Sequence, residues 1–595
     1  MALFSYPLDA NEILKSKRKL KKALLADGSS RIEKKIAILG GSTTNDIKDM
    51  LELFLLDAGI RCSFYESEYA MYWNDAMFGN EELDAFSPDI IYIHTTARNI
   101  ERFFPKITDT PERCNNLFEE AKRHFTEMWH KLAEKFHCVL IQNNFELPSY
   151  RLLGNKDGTD IHGATRFVRR MNEYFADYAE SNASFYLNDI DYVSSCYGLD
   201  RWSDPSYWYM YKYAMSLYAI PDFSYNLAAI IKSIYGKNKK AFVLDMDNTL
   251  WGGIVGDDGV ENLEIGNETP AAQAYSEFQR YIKSHKDLGV MLTVASKNDN
   301  ENAIAGLNHP DSILSPDDFL VIKANWEPKN LNISAIAKQL NIMTDSLVFV
   351  DDNPAERAIV SDSLPCAVPE ISTVESYIRT LDRNRYFEVT SISDDDIKRN
   401  EMYKANAARE MELLSFDDYG KYLENLNMTA EIKAFVPVYI QRIAQLTNKS
   451  NQFNLTTKRY SAEEITAVSE SNDYITLYGK LTDKFGDNGV VSVVIGNVSG
   501  NKLHIDLWIM SCRVLKRDME YAMLDTLVTK CAERGIDEII GYYYPTAKNS
   551  MVKSLYQSFG FSLVQDDTNG NTVWSLNVEG YENKNRYIRI NQNGD

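Results

Sequence analysis

Cysteine is scarce and unpaired in this chain. Cys62, Cys114, Cys138, Cys196, Cys366, Cys512 and Cys531 are scattered over 595 residues, and no CxxC occurs. That argues against a disulfide framework or a thiolate zinc site and fits a reducing, cytoplasmic setting. No HExxH is present, so a helix-borne zinc hydrolase site has no ligands. No apolar run approaches the roughly 20 residues that span a bilayer. The N-terminal stretch MALFSYPLDANEILKSKRKLKKALL has no apolar core before a cleavage site. Positive charge is in deficit: 64 Lys and Arg stand against 85 Asp and Glu, a formal net charge of −21. Such a balance disfavours nucleic acid and anionic membrane as general partners. The Lys15 to Lys22 cluster reads as a solvated helix face. Internal repeats and low-complexity runs are also missing. What remains, 44% hydrophobic and 25% charged, is a globular chain long enough for three or four domains.

Within it, apolar runs alternate with helical spacing. From Lys35 come KIAILGG, RCSFYES, PDIIYIHTT and HCVLIQNN, separated by amphipathic stretches such as NLFEEAKRHFTEMWHKLAEKF. The alternation predicts a doubly wound parallel α/β sheet over residues 1–235. A second such domain is predicted over 236–375, with strands AFVLD, GVMLTVAS, FLVIKA and SLVFVDD. Residues 376–595 read as a charged helical connector followed by an α+β domain. A Val-Ser-Gly-Asn turn at 498–501 joins two of its strands.

The chemistry concentrates at the strand tips of the second domain. KKAFVLDMDNTLWGG ends a buried strand in Asp245 and Asp247, one residue apart. Paired carboxylates there need a compensating charge, and a divalent cation is the simplest. Open parallel sheets bind ligands beyond the carboxyl ends of their strands. The other tips carry Ser296-Lys297-Asn298, Lys329, and Asp351-Asp352. Phosphoryl transfer needs this set. One carboxylate attacks phosphorus, and a second handles protons. A metal bound to hard oxygens screens the charge, and Ser and Lys hold the transferring oxygens.

DMDNT, Ser296, Lys329 and the Asp351-Asp352 pair, in that order, resemble the four motifs of the haloacid dehalogenase (HAD) superfamily. The resemblance implies Asp245 as nucleophile, Asp247 as acid/base, and Mg²⁺ held by Asp245, the Asp247 main chain, Asp351 and Asp352. Ser296 and Lys329 would bind the phosphoryl group, with Thr249 and Asn298 beside the substrate. The short Asp247–Ser296 spacing leaves room for a flap but not a cap domain, which suits a substrate carried on a macromolecule.

LDMDNTLWGGIVGDDG, NWEPKNLN, VFVDDNPAER, LTNKSNQFNLTTKR and IMSCRVLKRDMEYAML are similar to the FkbH-like subfamily. That likeness implies taking glycerate from 1,3-bisphosphoglycerate, removing the remaining phosphate, and delivering the glyceryl group to an acyl carrier protein. Cys512 would carry it as a thioester, with Arg513 and Arg517 nearby. The polar run Asn448 to Asn454 leaves two readings open: its amides cap a loop, or Asn448 and Asn451 bind the glyceryl hydroxyls or the carrier's phosphopantetheine arm. The last domain resembles an acetyltransferase (GNAT) fold, without the usual glycines in CRVLKRDME. The first resembles an SGNH hydrolase, with Ser42 in the nucleophile's place and Asp204 present. Tyr207 takes the histidine's position. Two roles stay open for this domain: docking without hydrolysis, or an esterase using another base such as His94. For the whole chain, the alternatives are a plain HAD phosphatase and a carrier-protein scaffold with inactive domains.

Overall fold

The structure, a computed structural model, describes residues 4–29, 31–449, 452–546 and 548–591; the side chains of Lys449 and Cys512 lie outside the description. The chain divides into two compact units. Leu8–Lys237 make up the body of the first, and Asn238–Tyr460 with the stretch from Ile465 that of the second.

The first unit is built on a parallel sheet of β1 (Ile32–Gly40), β2 (Ile60–Glu66), β3 (Ile90–His94), β4 (Val139–Asn143) and β5 (Phe185–Asn188). Their order in space is β2-β1-β3-β4-β5. All five residues of β3 are buried, as expected of a strand covered on both faces. Helices Asn45–Asp57 and Ile220–Ile234 pack on one another, with Leu51, Phe54, Leu227 and Ile231 in one apolar cluster. Helix Pro111–Phe136 starts with Thr110 as cap and Pro111 in its first turn. It carries Phe125 and Trp129 into an aromatic core with Phe175 and Phe185. The fifth strand escapes the sequence reading. It is only four residues long and half-buried in the middle, so it gives no apolar run. The basic N-terminal cluster lies on helix Ala10–Ala26, where Lys17 pairs with Asp46 and Asp49, and Lys21 with Glu52.

The second unit holds two sheets. The first contains β6 (Ala241–Leu244), β7 (Met291–Ser296), β8 (Val321–Ala324) and β9 (Leu347–Val350), all parallel, in the order β8-β7-β6-β9. Every side chain of β6 is buried, each contributing about 1–3 kcal/mol of hydrophobic stabilisation. The boundary expected at residue 375 falls inside helix Val374–Arg383. Tyr377 and Leu381 of that helix belong to this sheet's apolar core, and Tyr377 meets Phe278 edge-on. Beyond it, helix Arg399–Leu413 forms part of the predicted connector.

The second sheet is mixed. Its strands are β10 (Thr429–Lys433), β11 (Phe453–Asn454), β12 (Tyr474–Asp483), β13 (Gly486–Ser499), β14 (Lys502–Met510), β15 (Glu538–Tyr543), β16 (Ser562–Asp566), β17 (Thr572–Asn577) and β18 (Arg589–Ile590). The turn read at 498–501 joins β13 to β14, with Ser499 facing Lys502 and Gly500 at φ 62. The parallel strands β14 and β15 pair only over Lys502–His504. Beyond that point β11 pairs with β14 at Ile509 and Met510, just before Cys512. Two doubly wound parallel sheets followed by an α+β part is the fold class the sequence implies.

Candidate active site

Asp245 follows β6 directly, and its N–H donates to Val350 O at 2.9 Å, which fixes it against β9. Ser296 ends β7 and Asp351 follows β9, so three strand tips deliver side chains to one edge. Lys329 arrives from the first turn of helix Lys329–Gln339. A cation there opposes the helix dipole and needs counter-charges. It has two: Lys329 Nζ lies 2.8 Å from Asp245 Oδ2 and 2.5 Å from Asp351 Oδ2.

Asp245, Asp351 and Asp352 each bring a carboxylate oxygen within 4.8 Å of the others. Burial raises the Asp245 carboxyl above its ordinary range, against the lowering pull of Lys329. Asp351 is pushed up to about 6 by burial and by the charge of Asp245. Asp352 is raised by burial and by Asp351. For Lys329, burial lowers the ammonium's pKa, but Asp245 and Asp351 outweigh it and the net direction is up. Three acids thus share one ammonium in a partly dehydrated pocket. Clustered hard oxygen donors with residual negative charge are what a divalent cation such as Mg²⁺ fits.

Around this trio the chain supplies rigid supports. Arg357 donates to the main-chain carbonyls of Asp351 and Asp352 at 2.8 and 2.7 Å. Asn353 caps helix Pro354–Ser363, and its N–H donates to Asp351 Oδ1 at 2.8 Å. The carboxylate of Asp247 stands apart from the trio. Its Oδ1 accepts the indole N–H of Trp251 at 2.9 Å and the Val255 N–H at 3.1 Å. Its Oδ2 accepts from Asn298 Nδ2 at 2.9 Å.

Several expected substrate contacts meet protein partners instead. The fully buried Thr249 hydroxyl accepts the Asp352 N–H at 3.2 Å, so it orients that acid. Asn298 orients Asp247. Asn448 Nδ2 closes a loop by donating to Tyr460 O at 2.8 Å. Arg517 is buried, donating to Asp483 at 3.1 Å and Asn406 at 2.9 Å, and burial lowers its pKa to about 10. That guanidinium braces the second sheet against helix Arg399–Leu413. Arg513 donates to Ser511 Oγ at 3.1 Å and lies 3.5 Å from Asp395. Cys512 occupies the short turn Cys512–Val514, its thiol outside the described residues, as is Asn451.

Trp251 and Arg357 were not singled out from the sequence. The signal for Trp251 was its place two residues after Thr249, within the flap that returns to the first acid motif. In the first unit, Asp204 caps helix Pro205–Tyr211, and Tyr207 packs with Tyr211 and Tyr213. The group that meets Ser42 Oγ is His94 Nε2, at 2.9 Å.

An aspartate at the tip of a central parallel strand, with a second acid two residues on and a lysine joining it to Asp351 of a distal acid pair, is an arrangement suited to phosphoryl transfer. The chain is more narrowly similar to the FkbH-like proteins. Residues 35–232 match the model of the FkbH N-terminal domain. The N-terminal part of the Bacteroides fragilis protein BF1531, described as containing a phosphatase domain and complexed with Mg, is 29% identical. The match covers 63% of this chain and 99% of that one, with a TM-score of 0.59. The Escherichia coli ribosomal-protein-S18-alanine N-acetyltransferase is 14% identical over 27% of this chain and 100% of its own, at a TM-score of 0.21. The Thermoplasma acidophilum PaiA N-acetyltransferase is 16% identical over 25% of this chain and 99% of its own, at a TM-score of 0.19. Both likenesses are too slight to build on. No curated protein matches the chain. Among the described residues, no helix is long and apolar enough to cross a membrane.

Proposed function

We propose that the chain is a Mg²⁺-dependent phosphatase of the HAD type. In this reading it takes glycerate from 1,3-bisphosphoglycerate, removes the remaining phosphate and loads the glyceryl group onto an acyl carrier protein. The observation that carries the phosphatase part is Lys329 between Asp245 and Asp351, inside a trio of carboxylates. The glyceryl part rests on the long FkbH-like motifs and on the match over residues 35–232.

Asp245 attacks the phosphorus of a phosphomonoester, and the bond from phosphorus to the ester oxygen breaks. Asp247 gives that oxygen its proton. In the second half, Asp247 takes a proton from water, which attacks the aspartyl phosphate. Phosphate leaves and the Asp245 carboxylate is restored. Lys329 and Ser296 hold the phosphoryl oxygens, and Trp251, Val255 and Asn298 hold Asp247. Asp245, Asp352 and the main-chain carbonyl of Asp247 would hold Mg²⁺, whose charge screens the acids from the phosphate.

Phosphate release from p-nitrophenyl phosphate with and without Mg²⁺ tests the first part. Intact-mass analysis after incubation with 1,3-bisphosphoglycerate, then with an acyl carrier protein, tests the second. Phosphatase turnover with no glyceryl adduct on either protein would leave a plain phosphatase.

A further inference from the structure

The first acid motif of the second unit contains a residue with an uncommon backbone. Asn248, between Asp247 and Thr249, lies at φ 55, in the left-handed region that few residues besides glycine enter. Such a conformation persists where its surroundings hold it. Two helices do so here. Tyr275, on helix Pro270–Asp287, donates its hydroxyl to Asn248 O at 3.3 Å. Tyr377, on helix Val374–Arg383, donates to the same oxygen at 3.1 Å. A carbonyl oxygen has two lone pairs, so both bonds form together. Asn248 Oδ1 accepts the Gly253 N–H at 3.0 Å, which ties the turn to the flap.

Packing fixes both phenols. Each is buried, and Tyr377 meets Phe278 edge-on. A Cβ on Gly252 would lie 2.9 Å from the Tyr275 ring, so the flap seats on that ring through a bare glycine. Neither tyrosine has a part in the phosphoryl chemistry described above.

The peptide they act on does have one. With the Asn248 carbonyl anchored, φ at Asn248 sets the plane of the rigid Asp247–Asn248 peptide, and so the direction of the Asp247 main-chain oxygen. A return to the right-handed region would turn that oxygen away. The Asp247 carboxylate has its own supports in Trp251, Val255 and Asn298. The two kinds of oxygen on Asp247 are therefore held independently.

We propose that Tyr275 and Tyr377 are positioning residues for the metal: by clamping Asn248 O they keep the left-handed turn that presents the Asp247 main-chain carbonyl to Mg²⁺. The inference rests on the Mg²⁺ reading of the acid trio. It makes helix Val374–Arg383 a working part of that site.

Mg²⁺ binding to the full chain, measured by calorimetry without substrate, is the test. Tyr275→Phe/Tyr377→Phe keeps both rings and removes both hydroxyls. Its dissociation constant for Mg²⁺ is expected to rise about 10–100-fold, as for other groups that orient metal ligands. Turnover of p-nitrophenyl phosphate at saturating Mg²⁺ should stay near the wild-type value. Wild-type affinity in the double variant overturns the proposal, whether or not turnover falls. Asn248→Gly and Asn248→Ala both lose the bond to Gly253, but only glycine enters the left-handed region freely. Asn248→Ala should therefore bind Mg²⁺ more weakly than Asn248→Gly, and equal affinities would refute the backbone link. A wild type that binds no Mg²⁺, or binds it as well after Asp352→Asn, brings down the metal reading itself and this inference with it. Should the double variant fail to fold, Tyr377→Phe alone decides: weaker Mg²⁺ binding supports the clamp, and unchanged binding refutes it.

Discussion

Lys329 and Asp351 form an ion pair of 2.5 Å whose side chains are 4% and 0% exposed. Such a pair is expensive to break, because removing one partner leaves the other buried and uncompensated. Here the damage is larger, since Lys329 also faces Asp245 at 2.8 Å. Lys329→Met is expected to lower stability by about 3 kcal/mol in denaturant titration. It should also lower phosphate release by about 10²-fold or more. Unchanged stability in the variant would mean that the pocket is wetter than the geometry implies.

Asp245→Asn keeps the shape of the side chain but removes the attacking oxygen anion. Phosphate release is expected to fall by at least about 10²–10⁴-fold, with circular dichroism unchanged. Near-wild-type turnover in this variant would sink the aspartyl-phosphate mechanism.

Mg²⁺ should stabilise the folded chain, because the acid trio exists only there. At about 100 times its dissociation constant, a bound ion adds about 2.7 kcal/mol. A higher melting temperature with Mg²⁺ is expected for the wild type and a smaller rise for Asp352→Asn. Chelation should abolish turnover and Mg²⁺ restore it. An equal thermal shift in Asp352→Asn would place the ion elsewhere.

Gly306 packs against the indole that holds Asp247. A Cβ at that position would lie 2.7 Å from the Trp251 ring, closer than atoms pack. Gly306→Ala should therefore displace Trp251, destabilise the chain by about 1–3 kcal/mol, and loosen Asp247. Trp251→Phe removes the N–H together with the benzo-ring atoms that meet Gly306, so it is expected to reduce turnover about tenfold and, by leaving a cavity, to lower stability by about 1–3 kcal/mol. Normal turnover in Trp251→Phe would show that Val255 and Asn298 suffice to hold the acid.

Much of this architecture is legible in the chain because parallel strands announce themselves twice. They are short apolar runs, and in β6, β7 and β9 they end in residues that no core needs: Asp245, Ser296 and Asp351. The support beneath those residues is less legible. Arg357 and Trp251 carry no marker of their own, since their roles depend on folding back across a turn onto carbonyls or a carboxylate. Thr249 and Asn298 read as substrate contacts because residue type alone does not say whether a hydroxyl or amide faces ligand or protein. Arg517 was read beside Cys512 for the same reason. Its partner Asp483 lies 34 positions earlier, at the end of β12, a separation that spacing does not reveal. The Ser42–His94 pair is likewise a product of sheet order, which sets β1 beside β3.

The last prediction concerns Cys512. It stands two residues beyond β14, where β11 lies alongside, and Arg513, Lys516 and Arg517 follow it before the helix Met519–Glu533. Arg513 and Arg517 both bond within the protein, so neither guanidinium is poised to clamp a substrate carboxylate or phosphate. If Cys512 carries the glyceryl group, attack of its sulfur on the acyl phosphate of 1,3-bisphosphoglycerate releases phosphate and leaves a 3-phosphoglyceryl thioester. The Asp245 site then removes the 3-phosphate. Intact mass spectrometry of the wild type should show the glyceryl adduct. Asp245→Asn should accumulate the heavier phosphoglyceryl form, because its loading step is untouched while its dephosphorylation is blocked. Cys512→Ala should show neither mass, yet still hydrolyse p-nitrophenyl phosphate. Full adduct on Cys512→Ala would assign the thioester to another cysteine, and loss of p-nitrophenyl phosphate turnover in the same variant would tie Cys512 to the phosphatase fold instead of to acyl transfer.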